Sequence, residues 1–209
     1  MDNILVVGDS LVYGKWDSEG GWVNHLRKYV DTNYNLGKER SLHVYSLGVP
    51  SELANRMENR FSCELGARIN PQGKDLVIFA IGANDSCPNN KYAGKQTPPE
   101  EFKEALRRMA TEALEKGCQV IFVGLLPVNP ARKKRLIFSD EEIKKYDQYI
   151  TEVCQELKVK KIEMFDYLKT LDFSNLLVDV VHPNDEGHQI LSKRIISFLE
   201  ENKIFSEDK

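Results

Sequence analysis

Five short apolar runs, each separated from the next by a longer amphipathic stretch, constrain this chain more than any other feature. The runs cover residues 4–8, 42–47, 76–81, 120–125 and 162–165. Each is apolar nearly throughout, the pattern of a strand covered on both faces. Helical patterns lie at about 21–34, 51–65, 99–116, 140–157 and 185–202. Strand, helix, strand, repeated, builds a parallel sheet with helices on both faces. The expected fold is therefore α/β, a three-layer sandwich around a five-stranded, mainly parallel sheet.

Local signals support the helix ends. Pro98-Pro99-Glu100-Glu101 sets proline and acids at a start. Ser139-Asp140-Glu141-Glu142 has the form of a capping box, and Lys116-Gly117 that of a helix end. The 209 residues contain no linker, repeat or low-complexity stretch, so residues 1–209 are expected to form a single domain. The longest irregular segments, 84–98, 127–138 and 172–183, are expected to gather at the carboxyl edge of the strands. Open α/β sheets bind ligands there.

Composition narrows the function classes. A net charge of -3 leaves no basic footprint for nucleic acid. The run Arg132-Lys133-Lys134-Arg135 is expected to be a solvated loop. Cys63, Cys87, Cys118 and Cys154 are scattered, with no zinc-ligand spacing. Cys118 and Cys154 read as core residues, Cys87 as a free, partly exposed loop thiol. Free thiols suit a reducing compartment. No leader pattern precedes the first run, and no apolar run approaches the ~20 residues that span a bilayer. A cytoplasmic location and no membrane span are expected. His188 stands near His182, but no H-E-x-x-H exists, and the glycine-rich phosphate cradles are absent. No metal and no cofactor are expected. Oligomeric state is not readable.

Chemistry can be carried by four separate blocks. Gly8-Asp9-Ser10 ends the first strand run and delivers a hydroxyl to the ligand-binding edge. Alone, a serine there is better explained as a turn cap, and it is a poor nucleophile without a base. Asp179-Val180-Val181-His182-Pro183 places a carboxylate within one turn of an imidazole, so that it can orient Nδ1 and leave Nε2 for a hydroxyl. Gly48 and Gly82-Ala83-Asn84-Asp85 follow the second and third strand runs. A glycine amide and an asparagine side chain can donate to a developing oxyanion. Asp9 and Asp85 are expected to make structural hydrogen bonds instead of acting in catalysis. His25 is expected on a helix surface, His43 in a strand, and Trp22 and Phe198 in the core.

Gly8-Asp9-Ser10-Leu11, Gly48, Gly82-x-Asn84-Asp85 and Asp179-x-x-His182-Pro183, in that order, resemble the four blocks of the SGNH, or GDSL-type, hydrolase superfamily. Gly20-Gly21-Trp22 and Gly187-His188 resemble the family's entry to its first helix and its ending. One departure is Pro50-Ser51, where many members carry a second glycine. The resemblance implies a flavodoxin-like fold and a serine hydrolase of carboxylic esters. It implies Ser10 as nucleophile, His182 as base and Asp179 as orienter, with the Ser10 and Gly48 amides and the Asn84 side chain as oxyanion hole. The expected partner is a small-molecule ester with a short acyl group or a sugar alcohol, because loops holding Lys91, Lys95 and Lys133 offer little apolar lining. A thioesterase or lysophospholipase of the same mechanism, and an inactive binding module on the same fold, are the alternatives.

Overall fold

The computed structural model describes residues 1–37, 41–89, 95–132 and 137–205. Four of the apolar runs become strands close to where they are expected: β1 (Asn3–Gly8), β2 (His43–Gly48), β3 (Asp75–Ala80) and β4 (Gln119–Val123). The fifth, β5 (Lys160–Ile162), lies two residues earlier than expected. It pairs with β4 alone, as an edge strand. Its lysines suit that position, and the Lys161 ammonium is held by Asp147 Oδ2 at 2.7 Å and Glu163 Oε2 at 2.8 Å. The apolar Met164 and Phe165 are buried, but they lead into the short helix α6 (Phe165–Lys169).

All four strand pairings are parallel, and the order is β2-β1-β3-β4-β5. Alternate strand residues point to opposite layers. Leu5, Val7, Val77 and Phe79 pack with α3 (Ala54–Gly66), α4 (Pro99–Glu115) and α5 (Asp140–Leu157). Ile4, Val6, Leu76 and Ile78 pack with α2 (Gly21–Val30) and α7 (Asp185–Glu201), which carry Trp22 and Leu191 into that layer. The single-turn helix α1 (Ser10–Tyr13) follows β1 directly.

The helix-end signals are met in outline. Pro99 is the first residue of α4, with Glu100 and Glu101 in its first turn. Gly117 takes a positive φ of 80° just past its end. Ser139 Oγ accepts from the Glu142 amide at 3.2 Å, but only half of a capping box forms, because the Glu142 carboxylate accepts from Gln96 instead.

Candidate active site

Local backbone chemistry aims Ser10. β1 ends at Gly8, in register with Gly48 of β2 and Ala80 of β3. The strand order reverses direction between β1 and β3, which opens the crevice where such sheets bind ligands. The Asp9 carboxylate accepts from the Leu11 amide at 2.9 Å, and its carbonyl accepts from the Tyr13 amide at 3.0 Å. These two bonds start α1 on Ser10 and hold its hydroxyl at the strand edge.

Ser10 Oγ lies 2.8 Å from His182 Nε2. His182 Nδ1 lies 2.8 Å from both carboxylate oxygens of Asp179. The Asp179 Oδ1 atom also accepts from the amides of Val181 at 3.1 Å and His182 at 2.9 Å. Burial opposes ionisation of Asp179, but the hydrogen bond and charge of His182 and the two amides hold its carboxyl well below the usual range. An ionised Asp179 draws the ring proton to Nδ1, so Nε2 is left to accept from the Ser10 hydroxyl. The three side chains form one unbroken hydrogen-bond chain of the kind that activates a serine.

Asn84 enters the same region from the end of β3, and its Nδ2 donates to Asp9 Oδ2 at 3.0 Å. Gly48 stands at the end of β2 against α1, outside the set of residues lining the cavity described below. Asp9 and Asp85 make the structural bonds expected of them. Asp85 Oδ1 accepts from Thr97 Oγ1 at 2.7 Å and from the first amide of α3 at 3.2 Å. Both carboxylates are buried. Burial pushes Asp9 up to about 6, offset in part by the Leu11 amide and the charge of His182. Burial, with the Asp9 charge adding to it, pushes Asp85 up to about 7.

A cavity of about 210 Å³ opens beside Ser10 and His182, with Asn84 and Asp179 also in its walls. Other walls come from Pro50 and Ser51, the departure already noted in the sequence, and from Lys15 and Phe138, which sequence reasoning did not single out. Ser51 takes a φ of 64°, a left-handed conformation that only glycine adopts without strain. Trp16 was also missed. Its backbone is left-handed at φ 70°, its side chain is exposed, and its indole N–H donates to Asp179 Oδ2 at 3.1 Å. The one hint was a large aromatic in a polar stretch just after the serine turn. His188 locks that stretch in place. Its Nδ1 accepts from the Trp22 amide at 3.2 Å, so its Nε2 donates to the Lys15 carbonyl at 3.1 Å.

Arg132 is exposed, as expected, and it also lines the cavity and donates to the Val178 carbonyl at 2.9 Å; Lys133, Lys134 and Arg135 lie outside the described residues, as does Lys91. Two expectations need correction. Cys87 is buried, not partly exposed, with its thiol 3.4 Å from both Asn89 Oδ1 and the Ile137 carbonyl. Burial pushes that thiol up, away from reactivity. His25 is half-buried, not a plain surface residue, with Nε2 3.0 Å from Asp17 Oδ2. Cys118 and Cys154 are buried as expected. Among the described residues no group of three or more His, Cys, Asp or Glu could hold a metal ion. No described helix is long and apolar enough to cross a membrane.

A serine, histidine and aspartate linked at the carboxyl edge of a parallel α/β sheet is an arrangement that serine hydrolases use. The profile of the GDSL-like Lipase/Acylhydrolase family matches residues 6–190, and the chain belongs to that family. It is 25% identical over 139 residues to the GDSL esterase/lipase CPRD49 of Arabidopsis thaliana, covering 60% of this chain and 54% of that protein. A second Arabidopsis thaliana protein, GDSL esterase/lipase At2g38180, is 26% identical over 136 residues, 59% of this chain and 43% of its own. The chain thus spans about half the length of the curated relatives it matches. Among solved structures, a lipase/acylhydrolase from Enterococcus faecalis superposes with a TM-score of 0.77 at 19% identity, covering 97% of both chains. Axe2, an acetylxylan esterase from Geobacillus stearothermophilus, superposes at 0.76 with 17% identity, covering 99% of this chain and 95% of that one. At such identities these two establish the shared fold.

Proposed function

We propose that this chain hydrolyses carboxylic esters, with Ser10 as nucleophile and an acyl-enzyme intermediate. The observation that carries this is the unbroken hydrogen-bond chain from Asp179 through His182 Nε2 to Ser10 Oγ, opening on the cavity. Ser10 Oγ attacks the ester carbonyl as its proton passes to His182 Nε2. The same proton then goes to the leaving alcohol, and water, deprotonated by His182, releases the acid. Asp179 keeps its charge throughout and stabilises the imidazolium. The oxyanion is assigned to the Ser10 and Gly48 amides and to the Asn84 side chain, whose plane is set by its bond to Asp9.

The substrate class is a small polar ester with a short acyl group. The cavity walls support it, since Pro50, Phe138, Val180 and Val181 share a volume of about 210 Å³ with Lys15, Ser51, Asn84 and Arg132. The structural neighbours named as acetylxylan esterases agree with a short acyl group. The test is a p-nitrophenyl ester series on the wild type and Ser10→Ala. Acetyl should be preferred over dodecanoyl, and Ser10→Ala should abolish turnover at unchanged thermal stability. Turnover persisting in Ser10→Ala refutes the nucleophile, and a dodecanoyl preference refutes the substrate class.

A further inference from the structure

We propose that the cavity beside Ser10 selects esters that also carry an anionic group, a carboxylate or a phosphate; this rests on the esterase function proposed above. Charge in the cavity wall runs against charge in the chain. The whole sequence carries -3, with 32 acidic and 29 basic residues. Yet the described residues lining the cavity include two cations, Lys15 and Arg132, and one carboxylate, Asp179. That carboxylate is already engaged by the His182 ring, two backbone amides and the Trp16 indole. With Asp179 ionised, the described lining still carries a formal excess of one positive charge.

Among the described residues, no carboxylate forms an ion pair with Lys15 or Arg132. Surface cations elsewhere in the chain commonly do so, as Arg107 does with Glu104 and Glu156, and Lys28 with Glu19. Both cations are also placed by bonds that belong to the site. Arg132 donates one Nη1 hydrogen to the carbonyl of Val178, the residue before Asp179. A guanidinium has five N–H donors, so the rest of the fork can meet an oxyanion pair. The Lys15 ammonium lies 5.2 Å from the centre of the Trp16 ring, and Trp16 is fixed by its bond to Asp179. The Lys15 backbone is held at both ends, its amide to the Ser10 carbonyl at 3.0 Å and its carbonyl to buried His188 at 3.1 Å. Built supports around unpaired cations fit a ligand anion better than free solvent.

Three aryl acetates test this: phenyl acetate, and its para-substituted anionic analogues 4-acetoxybenzoate and 4-acetoxyphenyl phosphate. The quantity read is kcat/KM for each anionic ester divided by that for phenyl acetate, so any general loss of activity in a variant cancels. Arg132→Gln should lower this ratio about tenfold, the scale of one charge-assisted hydrogen bond at a partly solvated site. Lys15→Gln should lower it less, and the double variant most, with raised ionic strength acting in the same direction. The anion whose ratio falls further identifies carboxylate or phosphate as the natural group. Ratios unchanged in the double variant, with phenyl acetate still hydrolysed, overturn the proposal alone. No hydrolysis of any ester by the wild type overturns the esterase function instead. Anion selection is then read from calorimetric binding of 4-hydroxybenzoate, which must weaken about tenfold in Arg132→Gln or the proposal falls as well.

Discussion

An alanine Cβ at Gly48 would sit 2.2 Å from the Tyr13 amide nitrogen, 2.6 Å from the Val12 carbonyl carbon and 2.8 Å from the Asp9 carbonyl oxygen. All three are backbone atoms of the turn that carries Ser10, so no side-chain rotation relieves the contact. The end of β2 cannot retreat easily either. Gly48 is in register with Gly8, the Val49 amide donates to the Gly8 carbonyl at 3.0 Å, and Ser46 Oγ donates to the Val12 carbonyl at 2.9 Å. Overpacking costs about 1–3 kcal/mol, and a clash with backbone on both sides belongs at the upper end. At roughly 2–4 °C per kcal/mol for a chain of this size, Tm should fall by about 6–12 °C. The activity loss should be larger than the stability loss suggests. Displacing a reacting group by about 1 Å can cost on the order of 10²-fold, and α1 carries Ser10 directly. Gly66→Ala is the matched control, because its Cβ would meet nothing within 4 Å at the end of α3. Thermal scanning and ester kinetics on both variants decide the matter. Gly48→Ala with wild-type Tm and kcat/KM would refute the claim that close packing of α1 on β2 holds Ser10.

His182→Ala should lose on the order of 10²-fold more activity than Asp179→Asn, since an orienter is more replaceable than the base; single-turnover ester kinetics give the order, and the reverse order contradicts these roles. Stability should depend on the buried pair Asp9 and Asp85. Their folded values, about 6 and about 7, lie above the ordinary 3.8, so the fold binds more protons than the unfolded chain between about pH 4 and 7. Their contribution is therefore favourable at low pH and is lost as pH rises through that window, by roughly 3 kcal/mol for Asp9 and roughly 4 kcal/mol for Asp85. Asp85→Asn should flatten this part of the pH dependence; urea midpoints at pH 5 and 7.5 for the two proteins must differ in slope, or the carboxylates are not coupled to folding as described.

What the sequence made visible follows from the range of each interaction. The strand runs were legible because a two-face-buried strand must be apolar throughout, as Leu76-Val77-Ile78-Phe79 is. β5 was misplaced because an edge strand meets one neighbour, and Lys160-Lys161 carries no apolar signal. α1 was hidden because four residues are too few for a periodicity. Asp179 and His182 were legible because their contact is local, three residues apart. Lys15, Trp16 and Arg132 were not, because each joins the site through a partner distant in sequence, 163 residues away for the Trp16–Asp179 bond. Cys87 was misjudged for the same reason: its loop is closed by Ile137, 50 residues on.

The central claim is that Ser10 is made nucleophilic by His182. The most direct measurement is intact-mass and peptide analysis after exposure to a fluorophosphonate. One adduct per chain, located on Ser10, is predicted, with labelling slowed by orders of magnitude in His182→Ala while the fold is retained. An unlabelled Ser10 in folded protein, or equal labelling of the wild type and His182→Ala, would contradict it.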